Sequence, residues 1–259
     1  MNALTDSDPM RLLLFAVTLA LLPGCGEAAA PAAVPDAEVP SEPSATATVA
    51  SPSTPDAPIP GEVLASPAAS GDTLTVVFFG DSLTEGYGLA NPMAESYPAL
   101  IGERLEAAGI PARVVNAGNS GETSAGGVRR ADWVLSRTTP DIFVLALGGN
   151  DMLRGQPPEE TERNLRAILE RVRETAPEAQ LVVAGLEALP NYGEEYGDAY
   201  REVFASAAAD FDAALVPFIL EGVAGVRELN QPDGVHPTAE GQRRIAATVW
   251  EVLGPLVQS

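Results

Sequence analysis

The chain contains a single histidine, His236, set in Asp233-Gly234-Val235-His236-Pro237. A hydrolase that uses serine or water near neutral pH needs a group that takes a proton and returns it, and imidazole is the usual one. A carboxylate three residues upstream, Asp233, can hold the remote ring nitrogen and stabilise the imidazolium. Taken alone, the pentapeptide is equally a turn leading into a helix. Ser82 supplies a second reactive group. Residues 74–83, Leu-Thr-Val-Val-Phe-Phe-Gly-Asp-Ser-Leu, read as a buried parallel strand running into a Gly-Asp-Ser turn. Side chains just past the carboxyl end of such a strand face the crevice where open α/β sheets bind ligands. Ser82 therefore stands where a nucleophile would act. It is followed by Leu83 and Thr84, so the Gly-x-Ser-x-Gly elbow of the α/β-hydrolases is absent.

Two further polar clusters follow apolar runs at the same relative place. One is Arg113-Val114-Val115-Asn116-Ala117-Gly118-Asn119-Ser120-Gly121, and the other Asp141-Ile142-Phe143-Val144-Leu145-Ala146-Leu147-Gly148-Gly149-Asn150-Asp151. Acyl transfer through a tetrahedral intermediate needs hydrogen-bond donors aimed at a developing oxyanion. A glycine lets its backbone N–H approach closely, and an asparagine amide supplies a neutral donor. Either cluster alone is an ordinary strand-end turn; four in the order Ser82, Gly121, Asn150, Asp233/His236 are hard to assign to chance.

This order and these motifs resemble the SGNH (GDSL) hydrolase family. Its blocks match as Gly80-Asp81-Ser82-Leu83, Gly121, Gly148-Gly149-Asn150-Asp151 and Asp233-Gly234-Val235-His236-Pro237. Finer features resemble the bacterial periplasmic thioesterase/arylesterase/lysophospholipase branch: Asn116-Ala117 with Ser120-Gly121-Glu122-Thr123-Ser124, Leu153-Arg154-Gly155, Pro190-Asn191-Tyr192-Gly193, and Phe211-Asp212 with Val216-Pro217-Phe218. The resemblance implies Ser82 as nucleophile, His236 as general base then acid, and Asp233 as its orienting carboxylate. It implies the backbone N–H groups of Ser82 and Gly121 and the Asn150 side-chain amide as oxyanion donors. No cofactor is implied. One histidine and one cysteine also fall short of a usual zinc site.

The elements that must carry these groups alternate along the chain. Strand-like runs near 74–79, 112–117, 141–147, 179–186 and 213–218 alternate with helical patterns near 94–108, 125–137, 158–175, 195–212 and 238–253. This predicts a three-layer α/β/α sandwich with a mainly parallel five-stranded sheet over residues 73–259, and the family resemblance implies that it is flavodoxin-like. All four functional blocks are then expected in loops at the carboxyl edge of the sheet. Thr238 is the expected cap of the last helix. Leu153, Arg154 and Gly155, just past Asn150, read either as a mobile lip over an acyl chain or as a plain loop capping the next helix.

The amino-terminal part has another character. Residues 11–22 form an apolar run after one arginine, the size of a signal-peptide apolar region and short for a membrane span. Residues 1–24 are thus expected to be a signal peptide, with Met10 as an alternative start because Asp6 and Asp8 spoil a positive leader. Leu22-Pro23-Gly24-Cys25 resembles the lipobox of bacterial lipoproteins, which implies acylation of Cys25. The alternative is a cleavage region with a stray thiol. Residues 26–72, rich in Ala, Pro, Ser and Thr with seven carboxylates and no arginine, read as an extended tether. Residues 25–72 together would then form the lipidated cysteine and its spacer, placing an exported domain at a periplasmic or cell-surface membrane.

The domain beyond the tether contains no cysteine, so its stability must come from its core. All fifteen basic residues are arginine and the net charge is −21, which argues against nucleic acid or an anionic surface as the direct partner. The expected activity is that of a serine esterase acting on small acyl esters or thioesters through an acyl-enzyme, as a monomer. The rival readings are a carbohydrate O-deacetylase and a non-catalytic surface lipoprotein that binds an acylated ligand.

Overall fold

The computed structural model describes residues 73–258, so the expected signal peptide, Cys25 and the tether lie outside the described residues. Five strands run β1 (Leu74–Gly80), β2 (Ala112–Gly118), β3 (Ile142–Ala146), β4 (Gln180–Ala184) and β5 (Ala214–Val216). They form one parallel sheet in the order β2-β1-β3-β4-β5. Val76 to Phe79 of β1 and Ile142 to Leu145 of β3 are buried at successive positions. That continuity is what a parallel sheet covered on both faces requires.

Among the described residues eight α-helices accompany the strands: α1 (Ser82–Glu85), α2 (Pro92–Glu95), α3 (Tyr97–Ala107), α4 (Ser124–Leu135), α5 (Gly149–Leu153), α6 (Pro158–Thr175), α7 (Glu194–Asp210) and α8 (Ala239–Leu256). Helices α3 and α8 pack together, as do α4 with α6 and α6 with α7. The longer helices carry a single apolar stripe. In α6 the buried residues Leu165, Ile168, Leu169 and Val172 recur at three- and four-residue spacing, which places them on one helix face. Thr238 caps α8 by accepting from Gly241 N at 3.3 Å, as its residue type and position predict.

The strand order places the site. Between β1 and β3 the connections diverge to opposite sides of the sheet, the crevice where ligands bind in open α/β folds. The register brings Gly80 level with Gly118 and with Ala146, so the segments leaving β1, β2 and β3 emerge at one edge. Gly80 closes β1 because a side chain there has no room: its Cβ would lie 2.0 Å from Thr84 Oγ1 and 2.8 Å from the Ala146 carbonyl. The chain can therefore fold directly over the strand end into α1.

Two expectations need correction. Ser82 and Asn150 lie on one-turn helices, α1 and α5, and not in loops. Such helices are too short to show a 3.6-residue period. Strand β5 is also shorter than the apolar run 213–218, ending before Pro217, whose nitrogen has no hydrogen to donate to a ladder.

Candidate active site

Ser82 is the first residue of α1, immediately past β1, and is buried. The loop entering α8 brings His236 to it across 154 residues, with His236 Nε2 3.0 Å from Ser82 Oγ. On its other side the ring presents Nδ1 2.7 Å from Asp233 Oδ2. Asp233 is itself fixed: its Oδ1 accepts from the backbone N–H of Val235 at 2.9 Å and of His236 at 3.0 Å. These bonds stabilise the anion. The His236 backbone bond first, then the His236 ring and the Val235 bond, bring the Asp233 carboxyl down to about 2. The loop is held from the side by Gln231, whose amide donates to the Tyr87 carbonyl at 2.7 Å and the Pro237 carbonyl at 3.0 Å. The Tyr87 ring rests on the imidazole, with centroids 4.6 Å apart.

Gly121 lies in the connection from β2 to α4. Glu122 N donates to the Asn119 carbonyl at 3.1 Å, which closes a four-residue turn with Gly121 third. Its φ is +75°, and Asp212 is the one described non-glycine residue with positive φ. Ser120 therefore has negative φ, and the turn is type II, the form that calls for glycine at this position. In a type II turn the central peptide, here Ser120–Gly121, has a defined sense that directs the Gly121 N–H. Several bonds hold the turn. Ser120 N donates to Glu85 Oε2 at 2.9 Å, and the Ser120 hydroxyl donates to the same oxygen. Buried Glu122 pairs with Arg130, whose guanidinium also lies 4.2 Å over the Phe79 ring.

Asn150 is the second residue of α5, after β3. Its Nδ2 donates to Asp81 Oδ2 at 3.3 Å. The next residue, Asp151, is buried and accepts from Ser124 N at 2.8 Å and Ser124 Oγ at 2.6 Å, joining α5 to the start of α4. Arg154 completes that junction. Its guanidinium donates to the Gly121 carbonyl at 3.0 Å and to the Asn150 carbonyl at 3.4 Å. Leu153 is exposed, and Gly155 has φ +65°.

Ser82, Gly121, Asn150, Asp233 and His236 thus all meet at the carboxyl edge, and of the three residues read as a lip Arg154 faces the glycine turn. A polar depression of about 270 Å³ beside them is bordered by Gly121, Arg129 and Arg154. A larger groove, about 560 Å³, runs between α3 and β2 and contains none of these residues. Among the described residues no group of three His, Cys, Asp or Glu stands close enough to hold a metal ion, and no helix is long and apolar enough to cross a membrane.

Residue types and spacing alone did not reveal the groups that hold the site, namely Asp81, Tyr87, Asp151 and Ser124. Asp81 carried a local signal: it precedes α1 and caps it, accepting from Leu83 N at 3.0 Å. Burial raises its carboxyl to about 6, against the lowering effect of its bonds from Leu83 and Asn150.

Comparison with known proteins identifies the family. The GDSL-like Lipase/Acylhydrolase family model matches residues 78–244. Esterase TesA of Pseudomonas aeruginosa is 41% identical over 195 residues, 75% of this chain and 94% of that protein. Thioesterase 1/protease 1/lysophospholipase L1 of Escherichia coli is 38% identical over 190 residues, 73% of this chain and 87% of that protein. The crystal structure of TesA superposes with a TM-score of 0.67 at 40% identity, covering 70% of this chain and 99% of the other. That of AlinE4, an SGNH-hydrolase family esterase, does so at 0.60 and 38% identity, covering 73% and 98%. The chain belongs to the GDSL-like lipase/acylhydrolase family and is an SGNH-type serine esterase.

Proposed function

We propose that Ser82 attacks the acyl carbonyl of an ester or thioester while His236 Nε2 takes its proton. Asp233 holds the opposite ring nitrogen and stabilises the imidazolium. The carbonyl oxygen becomes an oxyanion facing the N–H of Ser82, the N–H of Gly121 and the Asn150 amide. Ser82 N is the first amide of α1, with no acceptor inside the helix. When the tetrahedral intermediate collapses, the carbon–oxygen or carbon–sulfur bond of the leaving group breaks. His236 returns its proton to the alcohol or thiol. Water, deprotonated by the same imidazole, then attacks the acyl-enzyme and frees the acid and Ser82. The observation that carries this reading is the unbroken contact from Asp233 through His236 to Ser82, at 2.7 and 3.0 Å. Its test is Ser82→Ala on a short p-nitrophenyl ester. By analogy with triad serines elsewhere, kcat should fall by about 10⁶-fold, and retained activity in a purified, folded variant overturns the mechanism.

The leaving group and acyl chain are read more coarsely. Names of the relatives include esterase, arylesterase, thioesterase and lysophospholipase, which supports acyl esters and thioesters over acetylated glycans. Leu153 and Leu189, each 45% exposed near this edge, suit an apolar rim for an acyl chain. Turnover of p-nitrophenyl esters of increasing length, acyl-CoA, lysophospholipid and acetylated xylan in parallel separates these substrates. Preferential deacetylation of xylan would contradict the reading.

The same proposal extends to the amino-terminal part. The Leu22-Pro23-Gly24-Cys25 sequence supports export, acylation of Cys25 and anchoring of the enzyme to a membrane by a spacer of residues 26–72.

A further inference from the structure

The mechanism leaves the buried carboxylate next to the nucleophile without a role. Asp81, between β1 and the nucleophile, is 2% exposed. A buried carboxylate is costly unless its oxygens are used, and both are. Oδ1 accepts from Leu83 N at 3.0 Å, and Oδ2 accepts from Asn150 Nδ2 at 3.3 Å. The first bond caps α1. A serine or asparagine would do that equally well, so capping alone does not call for a carboxylate. The second bond reaches across 69 residues to another strand end.

An asparagine amide has two N–H groups and one oxygen. With no partner its plane can turn over, putting oxygen where nitrogen was. A carboxylate accepts and never donates when ionised, so it admits only the nitrogen of Asn150 on its side. We propose that Asp81 is a positioning residue for the oxyanion hole, whose buried carboxylate fixes the amide of Asn150 so that one N–H is held and the other is left for the oxyanion. This rests on Asn150 being an oxyanion donor in the proposed mechanism. Asp81 also lies against Gly149, where an added Cβ would sit 3.3 Å from Oδ2, so the start of α5 packs directly on the nucleophile turn. The Gly-Asp-Ser tripeptide thereby couples the attacking oxygen to the donor that receives the charge it creates.

The test is a double-mutant cycle measured with a short p-nitrophenyl ester, with melting curves for every variant. Asp81→Asn keeps the volume and one acceptor. If that acceptor stays with Leu83 N, the new amide nitrogen faces Asn150 and favours the turned-over plane. Asp81→Ser keeps a capping oxygen and cannot reach Asn150. Both should lower kcat by about 10- to 100-fold with KM little changed. The ceiling is the 10²–10³-fold loss typical of removing such a donor altogether, the effect expected for Asn150→Ala. In the Asn150→Ala background Asp81→Asn should cost nothing further, because its effect passes through the missing amide. A normal kcat in Asp81→Asn or Asp81→Ser overturns the proposal, as does an undiminished loss when Asn150 is already alanine. A normal kcat in Asn150→Ala itself overturns instead the reading of Asn150 as a donor. A folding defect in Asp81→Asn leaves Asp81→Ser to decide, since that variant retains the cap.

Discussion

Gly121→Ala separates backbone direction from every other property of the oxyanion hole. The glycine sits at φ +75° in a type II turn, and an added Cβ would meet nothing within 4 Å. The substitution therefore brings no clash, and its penalty is torsional, about 1–2 kcal/mol for an L-residue in this region. The turn can relieve that penalty by rotating the Ser120–Gly121 peptide into the type I form, where the third residue has negative φ. Rotation reverses the Gly121 N–H, which the proposed mechanism points at the oxyanion. At 0.59 kcal/mol for RT, a 1–2 kcal/mol bias lowers the ratio of donor-competent to rotated turn by about 5- to 30-fold, which is the most by which the competent population can fall. The expected result is a kcat lowered measurably and by up to about 5- to 30-fold, short of the 10²–10³ of a lost donor, with KM nearly unchanged. Gly109→Ala is the matched control. Gly109 has φ +71°, an equally open Cβ direction, and lies past the end of α3 away from the site. It should lose similar stability and no activity. Steady-state kinetics on a short acyl ester and thermal melts of both variants decide the matter. If Gly121→Ala matches Gly109→Ala in both respects, the Gly121 N–H is not a donor to the oxyanion.

Arg154→Ala removes bonds to the Gly121 and Asn150 carbonyls, each worth about 0.5–1.5 kcal/mol, and should lower kcat on short esters by roughly 3- to 10-fold. An effect confined to long acyl chains would return Arg154 to the lip. Because Asp81 is raised from 3.8 to about 6, the folded state holds its proton more tightly than the unfolded state. Stability should fall as pH rises through that window, by about 3 kcal/mol in order of magnitude. Melting curves from pH 4 to 8 should then show Asp81→Asn gaining on wild type by several degrees as pH rises, and parallel curves would refute this. His236→Ala should remove most kcat/KM on a short ester while leaving the fold intact; near-normal turnover in the folded variant would assign the base elsewhere. Cys25→Ser should release the protein from membranes in cells or block its processing. An unacylated mature end downstream of Cys25 by mass spectrometry would contradict anchoring.

Of the candidate reactive residues, Ser82, Gly121 and Asn150 were legible because each follows an apolar run, and in a parallel sheet those ends share one edge; His236 was legible as the single histidine of the chain, with Asp233 three residues before it. Val76 to Phe79 and Ile142 to Leu145 read as strands without alternation, since both sheet faces are covered. The groups that hold the reactive residues were not legible in the same way. The bond from Asn150 to Asp81 and that from Arg154 to the Gly121 carbonyl join residues 69 and 33 positions apart. No local pattern encodes either. Arg154 illustrates the difference: next to Leu153 it reads as part of a lip, yet its guanidinium turns back to clasp two backbone carbonyls. Helices α1 and α5 were missed because one turn of helix contains no period to detect, although Asp81 carries the side chain of a helix cap.

Every step proposed for the site requires that the acyl group pass through Ser82. That transfer can be caught by quenching the protein in acid during turnover of a slowly deacylated p-nitrophenyl ester and mapping the adduct by peptide mass spectrometry. One acyl group is expected, on Ser82, absent from Ser82→Ala and strongly reduced in His236→Ala. An adduct on another residue, or full turnover with Ser82 never modified, would contradict the mechanism.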